Sequence, residues 1–169
     1  EEPALTLAPL LQDTRTDAMR LAWETDGALA WHHVDFGQSG EGLSERFARV
    51  RTLVVDDTHH VHVADLTGLR EDTAYDYRVD SGGTQSDTLG FRTAPGPDSS
   101  VRLAWLADNQ EGWERFRVHL EHIAARRPDL MVVPGDIVQE ASNLEEWREW
   151  WWGSLVDADG FGSTTPVVV

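Results

Sequence analysis

The chain has 169 residues, room for one large domain or two small ones, and its 40% hydrophobic content allows a real core. Thirty acidic against fourteen basic residues leave a net charge of −16, which argues against nucleic acid and membranes as partners, since both are gripped through Lys and Arg. Every basic residue is arginine and cysteine is absent, so lysine Schiff bases, thiolate nucleophiles, disulfides and Cys-ligated zinc are excluded within these residues. No apolar run of spanning length and no signal peptide is read here. The first residues are Glu1-Glu2-Pro3 rather than methionine, and an exported origin, secreted or periplasmic, is expected.

The first ninety-odd residues read as antiparallel β-structure. Met19, Leu21 and Trp23 alternate with Arg20, Ala22 and Glu24, the period-two pattern of a half-buried strand. His32, Val34 and Phe36 alternate likewise, and a Gly- and Ser-rich loop, Gly37 to Ser44, precedes a strand expected over Phe47 to Val55. The run His59 to Leu66 predicts another. Its His59, His60 and His62 look like a metal cluster, but no carboxylate or Cys lies at ligand spacing, so ordinary strand residues are the expected reading. Tyr75, Tyr77 and Val79 share one face, Ser81-Gly82-Gly83-Thr84 supplies a hairpin turn, and Leu89, Phe91 and Thr93 close the set. Six or seven short strands predict a sandwich. Pro, Gly and Ser then mark a linker.

From Val101 the period changes. An apolar run to Ala107 ends on Asp108, and Trp113, Phe116, Leu120 and Ile123 fall on one helical face, with His119 and His122 on its polar flank. After Pro128, the run Leu130 to Val133 ends on Pro134-Gly135-Asp136. Strand, helix, strand builds a parallel pair, which puts Asp108 and Asp136 at the same sheet edge, where open α/β sheets bind ligands. Two carboxylates brought together repel unless neutralised, and a cation does that directly; the alternative is that both aspartates simply cap helices. A helix over Leu144 to Trp152 places Leu144, Trp147, Trp151 and Leu155 on one stripe, with Trp150 and Trp152 left for interdomain packing or a pocket rim. Asp157 to Ser163 reads as a plain loop without calcium-ligand register.

These residues carry a resemblance. Asp108-Asn109-Gln110 and Gly135-Asp136-Ile137-Val138 resemble the first two motifs of calcineurin-type metallophosphoesterases, and Thr165 to Val169 resembles the strand leading to that family's Asn-His motif. The earlier part resembles the fibronectin type III-like domain that precedes the catalytic domain in purple acid phosphatases. It does so through Leu7 to Gln12, Leu21-Ala22-Trp23, Leu66-Thr67-Gly68-Leu69, Thr73 to Val79 and Phe91 to Pro95. Leu69 and Tyr75 have the spacing of a tyrosine corner.

The resemblance implies a multidomain β plus α/β chain: a fibronectin type III-like sandwich over 1–94, a linker over 95–100, and the first β-α-β part of a metallophosphoesterase domain over 101–169. It also implies phosphatase-type hydrolysis of phosphate esters at a dinuclear site. Asp108 matches a first-metal ligand, Asp136 the bridging carboxylate, and Gln110 stands where the family has His, a weaker amide-oxygen ligand. Gln139 replaces the tyrosine that binds ferric iron, so a purple tyrosinate centre is not expected. The implied cofactors are two divalent or trivalent ions, of the iron, zinc or manganese kind, held fully only with a C-terminal remainder of the same protein as partner. These residues alone are expected to be inactive. A non-catalytic interaction or structural protein with a degenerate phosphoesterase half is the competing reading.

Overall fold

The computed structural model describes residues 4–169; Glu1-Glu2-Pro3, which prompted the expectation of an exported origin, lie outside the described residues. The period-two segments form β1 (Leu5–Gln12), β2 (Ala18–Thr25), β3 (His32–Gln38), β4 (Glu45–Phe47), β5 (Val50–Asp56), β6 (His59–Thr67), β7 (Ala74–Ser81), β8 (Thr84–Gln85) and β9 (Leu89–Arg92). They make two antiparallel sheets, β1-β2-β6-β5 and β4-β3-β7-β8, with β9 also pairing β7. Leu21, Trp23, Val34, Tyr77 and Val79 are fully buried between them, as alternation requires. Tyr75 closes a tyrosine corner, its phenol oxygen accepting the Arg70 amide at 2.9 Å. Gly82 and Gly83 both take positive φ in the β7–β8 hairpin, the conformation of a two-residue type I′ turn.

One expectation fails here. The single strand read over Phe47 to Val55 is two, because the chain leaves β3's partner at Phe47 and rejoins the opposite sheet at Val50. Local pattern does not reveal that the hydrogen-bond partner changes.

After the sandwich, β10 (Leu103–Trp105), α1 (Trp113–Ala124) and β11 (Leu130–Val132) form the β-α-β unit, with β10 and β11 parallel and Leu103 opposite Leu130. β12 (Val167–Val168) adds in parallel beyond β11. Phe116 and Leu120 bury the apolar stripe of α1. The Trp-rich segment is helical but wider than expected: Glu146–Gly153 is a π-helix, followed by α2 (Ser154–Asp157). Trp151 and Leu155 are buried as the stripe required, whereas Trp147 is only half-buried. The wider i→i+5 turn spreads the tryptophans around the axis. The plain loop read over Asp157 to Ser163 is corrected too: after Gly160 in a left-handed conformation, α3 (Phe161–Thr164) forms and buries Phe161. Glycines surrounding one aromatic hid it from pattern reading.

The two parts share a core. Leu10 of β1 packs with Phe116, Met131, Trp151, Leu155 and Phe161 of the α/β layer. Trp152 Nε1 donates to the Ala8 carbonyl at 2.9 Å, Tyr77 Oη donates to the Ser163 carbonyl at 2.7 Å, and Ser163 Oγ donates to the Pro9 carbonyl. Arg148 clasps the almost wholly buried Glu24 carboxylate at 2.7 to 3.0 Å. Truncating Arg148→Ala leaves that carboxylate buried beside Thr6 alone, and a loss of about 3 kcal/mol in urea unfolding is expected. A Cβ on Gly162 would meet Leu10 Cδ1 at 2.7 Å and Leu155 Cβ at 3.0 Å. Gly162→Ala should therefore lower stability by about 1–3 kcal/mol, measured the same way.

Candidate metal centre

Parallel pairing carries both loops out of the same sheet edge. The ladder continues one step past β10, where the Leu106 amide donates to the Val132 carbonyl at 3.2 Å. The chain then turns at Asp108, φ 62°, while the neighbouring strand turns at Gly135 and Asp136, φ 144° and 53°. Aspartate tolerates the left-handed region better than most residues, and Asp13, Asp72 and Asp159 adopt it at other turns, so the φ values alone do not mark a site.

What joins the loops is specific. The Asp136 carbonyl accepts two successive amides, from Asn109 at 3.0 Å and Gln110 at 3.1 Å. Asn109 Nδ2 donates to the Ile137 carbonyl at 2.9 Å. The sequence placed Asp108 and Asp136 at one edge, and there the structure joins the backbones of Asn109 and Gln110, which follow Asp108, to that of Asp136. Asn109, a member of the first motif without an assigned task, is what pins one loop to the other.

Two oxygens in this loop pair lack partners. Asn109 Oδ1 and Gln110 Oε1 are buried and accept no hydrogen bond. A buried amide oxygen without a donor is unfavourable, and a hard cation is one group that would satisfy it. The residues present therefore fit a cation, in the kind of atom offered: carboxylate and amide oxygen. Among the described residues no group of three or more His, Cys, Asp or Glu stands close enough to hold a metal. His119 and His122 are exposed on α1, away from any such group.

Glu146 was not singled out from the sequence, although Asn143 three residues earlier has the spacing of a capping box. Its buried carboxylate accepts the amides of Gln139 at 2.7 Å and Glu140 at 2.8 Å, and Asn143 Nδ2 at 2.9 Å. It thereby ties the segment after Asp136 to the π-helix. Gln139, the position that matches the family's tyrosine, is held through its backbone.

Residues 7–93 match the family model described as the purple acid phosphatase, N-terminal domain. The chain belongs to that family. Its fold is also that of a purple acid phosphatase, PPD1, from yellow lupin (Lupinus luteus) seeds, with a TM-score of 0.77 at 18% identity over 95% of this chain and 34% of that one. A structure of PhoD matches with a TM-score of 0.69 at 16% identity, over 98% of this chain and 38% of that one. At such identities the likeness is one of fold. The chain spans little more than a third of the length of either protein. No curated protein matches it.

Asn109→Ala should release the tie to Ile137 and expose the loop pair. The expected result is a loss of about 1–2 kcal/mol together with faster amide exchange at Asn109 and Gln110, followed by hydrogen-exchange mass spectrometry.

Proposed function

We propose that the complete protein is a metal-dependent phosphoesterase hydrolysing phosphate esters, and that these residues supply its sandwich and the first donors of a dinuclear site. The observation that carries the reading is the joined loop pair, where two aspartates flank buried, donor-less amide oxygens in a chain of purple acid phosphatase N-terminal family. Asp108 and Asp136 would hold the ions, with Gln110 Oε1 as a weaker third donor. Bound there, two cations would neutralise the phosphoryl oxygens and the leaving group and supply a nucleophile from water near neutral pH.

The chain's own contribution is positional. The Asp136 carbonyl, by holding two amides of the other loop, keeps the two aspartates from drifting apart. Glu146 holds the following segment against the π-helix. The donor count is too low for two ions, so further ligands would come from a C-terminal remainder, consistent with a chain covering about a third of its structural neighbours. An exported location, secreted or periplasmic, goes with this proposal.

Gln110 favours one competing reading, a non-catalytic scaffold with a degenerate site, because an amide oxygen binds a transition metal less strongly than imidazole does. Metal analysis of the full-length protein separates the two. About two equivalents with phosphatase turnover supports the enzyme, and none supports the scaffold. In the full-length enzyme Asp136→Asn should lower turnover by more than about a hundredfold, beyond the usual effect of losing a residue that only orients a ligand. Residues 1–169 produced alone should show no hydrolysis above background; robust activity from them would sink the proposal.

A further inference from the structure

Far from that edge, one end of the sandwich is closed by imidazoles rather than by aliphatic side chains. His62 of β6 is completely buried, and His60, two residues back on the same face, nearly so. His32 reaches across from β3 in the opposite sheet and stacks on His62 with ring centroids 3.8 Å apart. The contact therefore bridges the two sheets. His32 Nδ1 meets Ser81 Oγ at 2.9 Å, and that oxygen also accepts Trp23 Nε1 at 2.9 Å, a second bridge between the sheets.

The hydrogen bonds fix the tautomer of His62. Thr25 Oγ1 spends its own proton on the Gly27 carbonyl at 2.9 Å, so toward His62 Nε2, also 2.9 Å away, it can only accept. Nε2 therefore carries the hydrogen. Nδ1 is then the acceptor, and Thr52 Oγ1 at 3.0 Å donates to it. Neutral His62 is fully satisfied. A second proton would reverse the Thr52 bond and place a charge against His32 and His60.

Among the described residues no carboxylate forms an ion pair with these rings. On β3, His33 is the residue paired with carboxylates, those of Asp35 and of Asp80 from β7. On β6 and β5, His59 holds Asp56, while Arg51 holds Asp65. On β2, Glu24 is given over to Arg148 and Thr6. None of the ion pairs among the described residues includes His32, His60 or His62.

We propose that the His32–His62 stack is an acid-released catch, which holds the two sheets together while its rings are neutral and opens that end of the sandwich when one is protonated. The opening would be felt beyond the sandwich. Thr25, which accepts from His62, directly follows Glu24, whose carboxylate is the ionic link to the π-helix.

Burial and the neighbouring imidazoles push His62 down to about 3, and burial with His60 lowers His32. With the folded value below the unfolded one, near 6.5, the unfolded chain binds more protons in acid. The contribution of His62 to stability is thus complete above about pH 6.5 and is lost as the pH falls toward 3. Between pH 7.5 and 5.0 the folding equilibrium constant should drop about thirtyfold from His62 alone. Asp35, Asp56 and Asp65, held low by their hydrogen-bond partners, lose their contributions only below about 3.8, outside that window.

The test uses the full chain. Urea unfolding followed by tryptophan fluorescence should show the thirtyfold loss, and His62→Gln, whose amide can still donate to Thr25 and accept from Thr52, should remove most of it. An equal loss in the variant overturns the proposal. Should the variant not fold, imidazole nitrogen NMR of the unmodified protein decides. A His62 ring neutral down to pH 5 supports the catch, and one titrating near 6.5 overturns it. Hydrogen exchange at pH 5 tests the reach of the effect: faster exchange at Glu24, Thr25 and the π-helix supports transmission, and exchange confined to β3 and β6 overturns that part.

Discussion

Glu24 lies in a strand of the sandwich, yet its carboxylate is bound to Arg148 of the π-helix, an ionic link between the two parts of the chain. A carboxylate this deeply buried is tolerable only with its charge met and its lone pairs occupied. Arg148 meets the charge with two nitrogens, and the Thr6 hydroxyl takes another position at 2.6 Å. Around this pair the joint is finished by directional contacts to β1: Trp152 and Ser163 donate to carbonyls of Ala8 and Pro9, and Leu10 completes the second core. A strand that hydrogen-bonds in one sheet while packing in another core cannot move independently of either. The parallel layer, and the loops at its edge, are thereby carried on the sandwich.

Polar groups divide sharply in this molecule by whether their bonding is complete. Glu146 has three donors and fixes the segment after Asp136. Asn109 and Gln110, on the facing loop, each keep a buried oxygen unmet. An unmet buried acceptor costs free energy that a ligand would recover on binding.

The histidines show the same rule with a different outcome. Each of those that face a carboxylate, His33 and His59, has a partner for a positive charge. His32 and His62 have hydroxyls and each other, and no carboxylate pairs with either ring among the described ion pairs. One face of β6 therefore builds a core that is sound near neutrality and weakened in acid, although the residue types along it differ little from those that would make a metal site.

Much of the fold was legible in local pattern. The alternation around Trp23, Phe36 and Tyr77 and the helical stripe of α1 are set by periodicity, because a strand or helix shows its buried face every two or every three to four residues; the tyrosine corner was carried by the resemblance, and Asp108 and Asp136 by their places at the ends of apolar runs. The crossing between sheets at Phe47–Val50, the π-turn at Glu146–Gly153 and the short helix at Phe161 were not, since each depends on which distant segment lies alongside. The same divide runs through the candidate centre. Which aspartates end the strands was readable; that Asn109 pins the loops, that Glu146 braces them and that amide oxygens are left unmet depended on contacts across 28 residues or between loops. It holds most plainly for the histidines. Residues His60 and His62 appeared as a pattern on one strand, but their partner, His32, stands on the opposite sheet, and only packing of the two sheets turns three separate imidazoles into one coupled group.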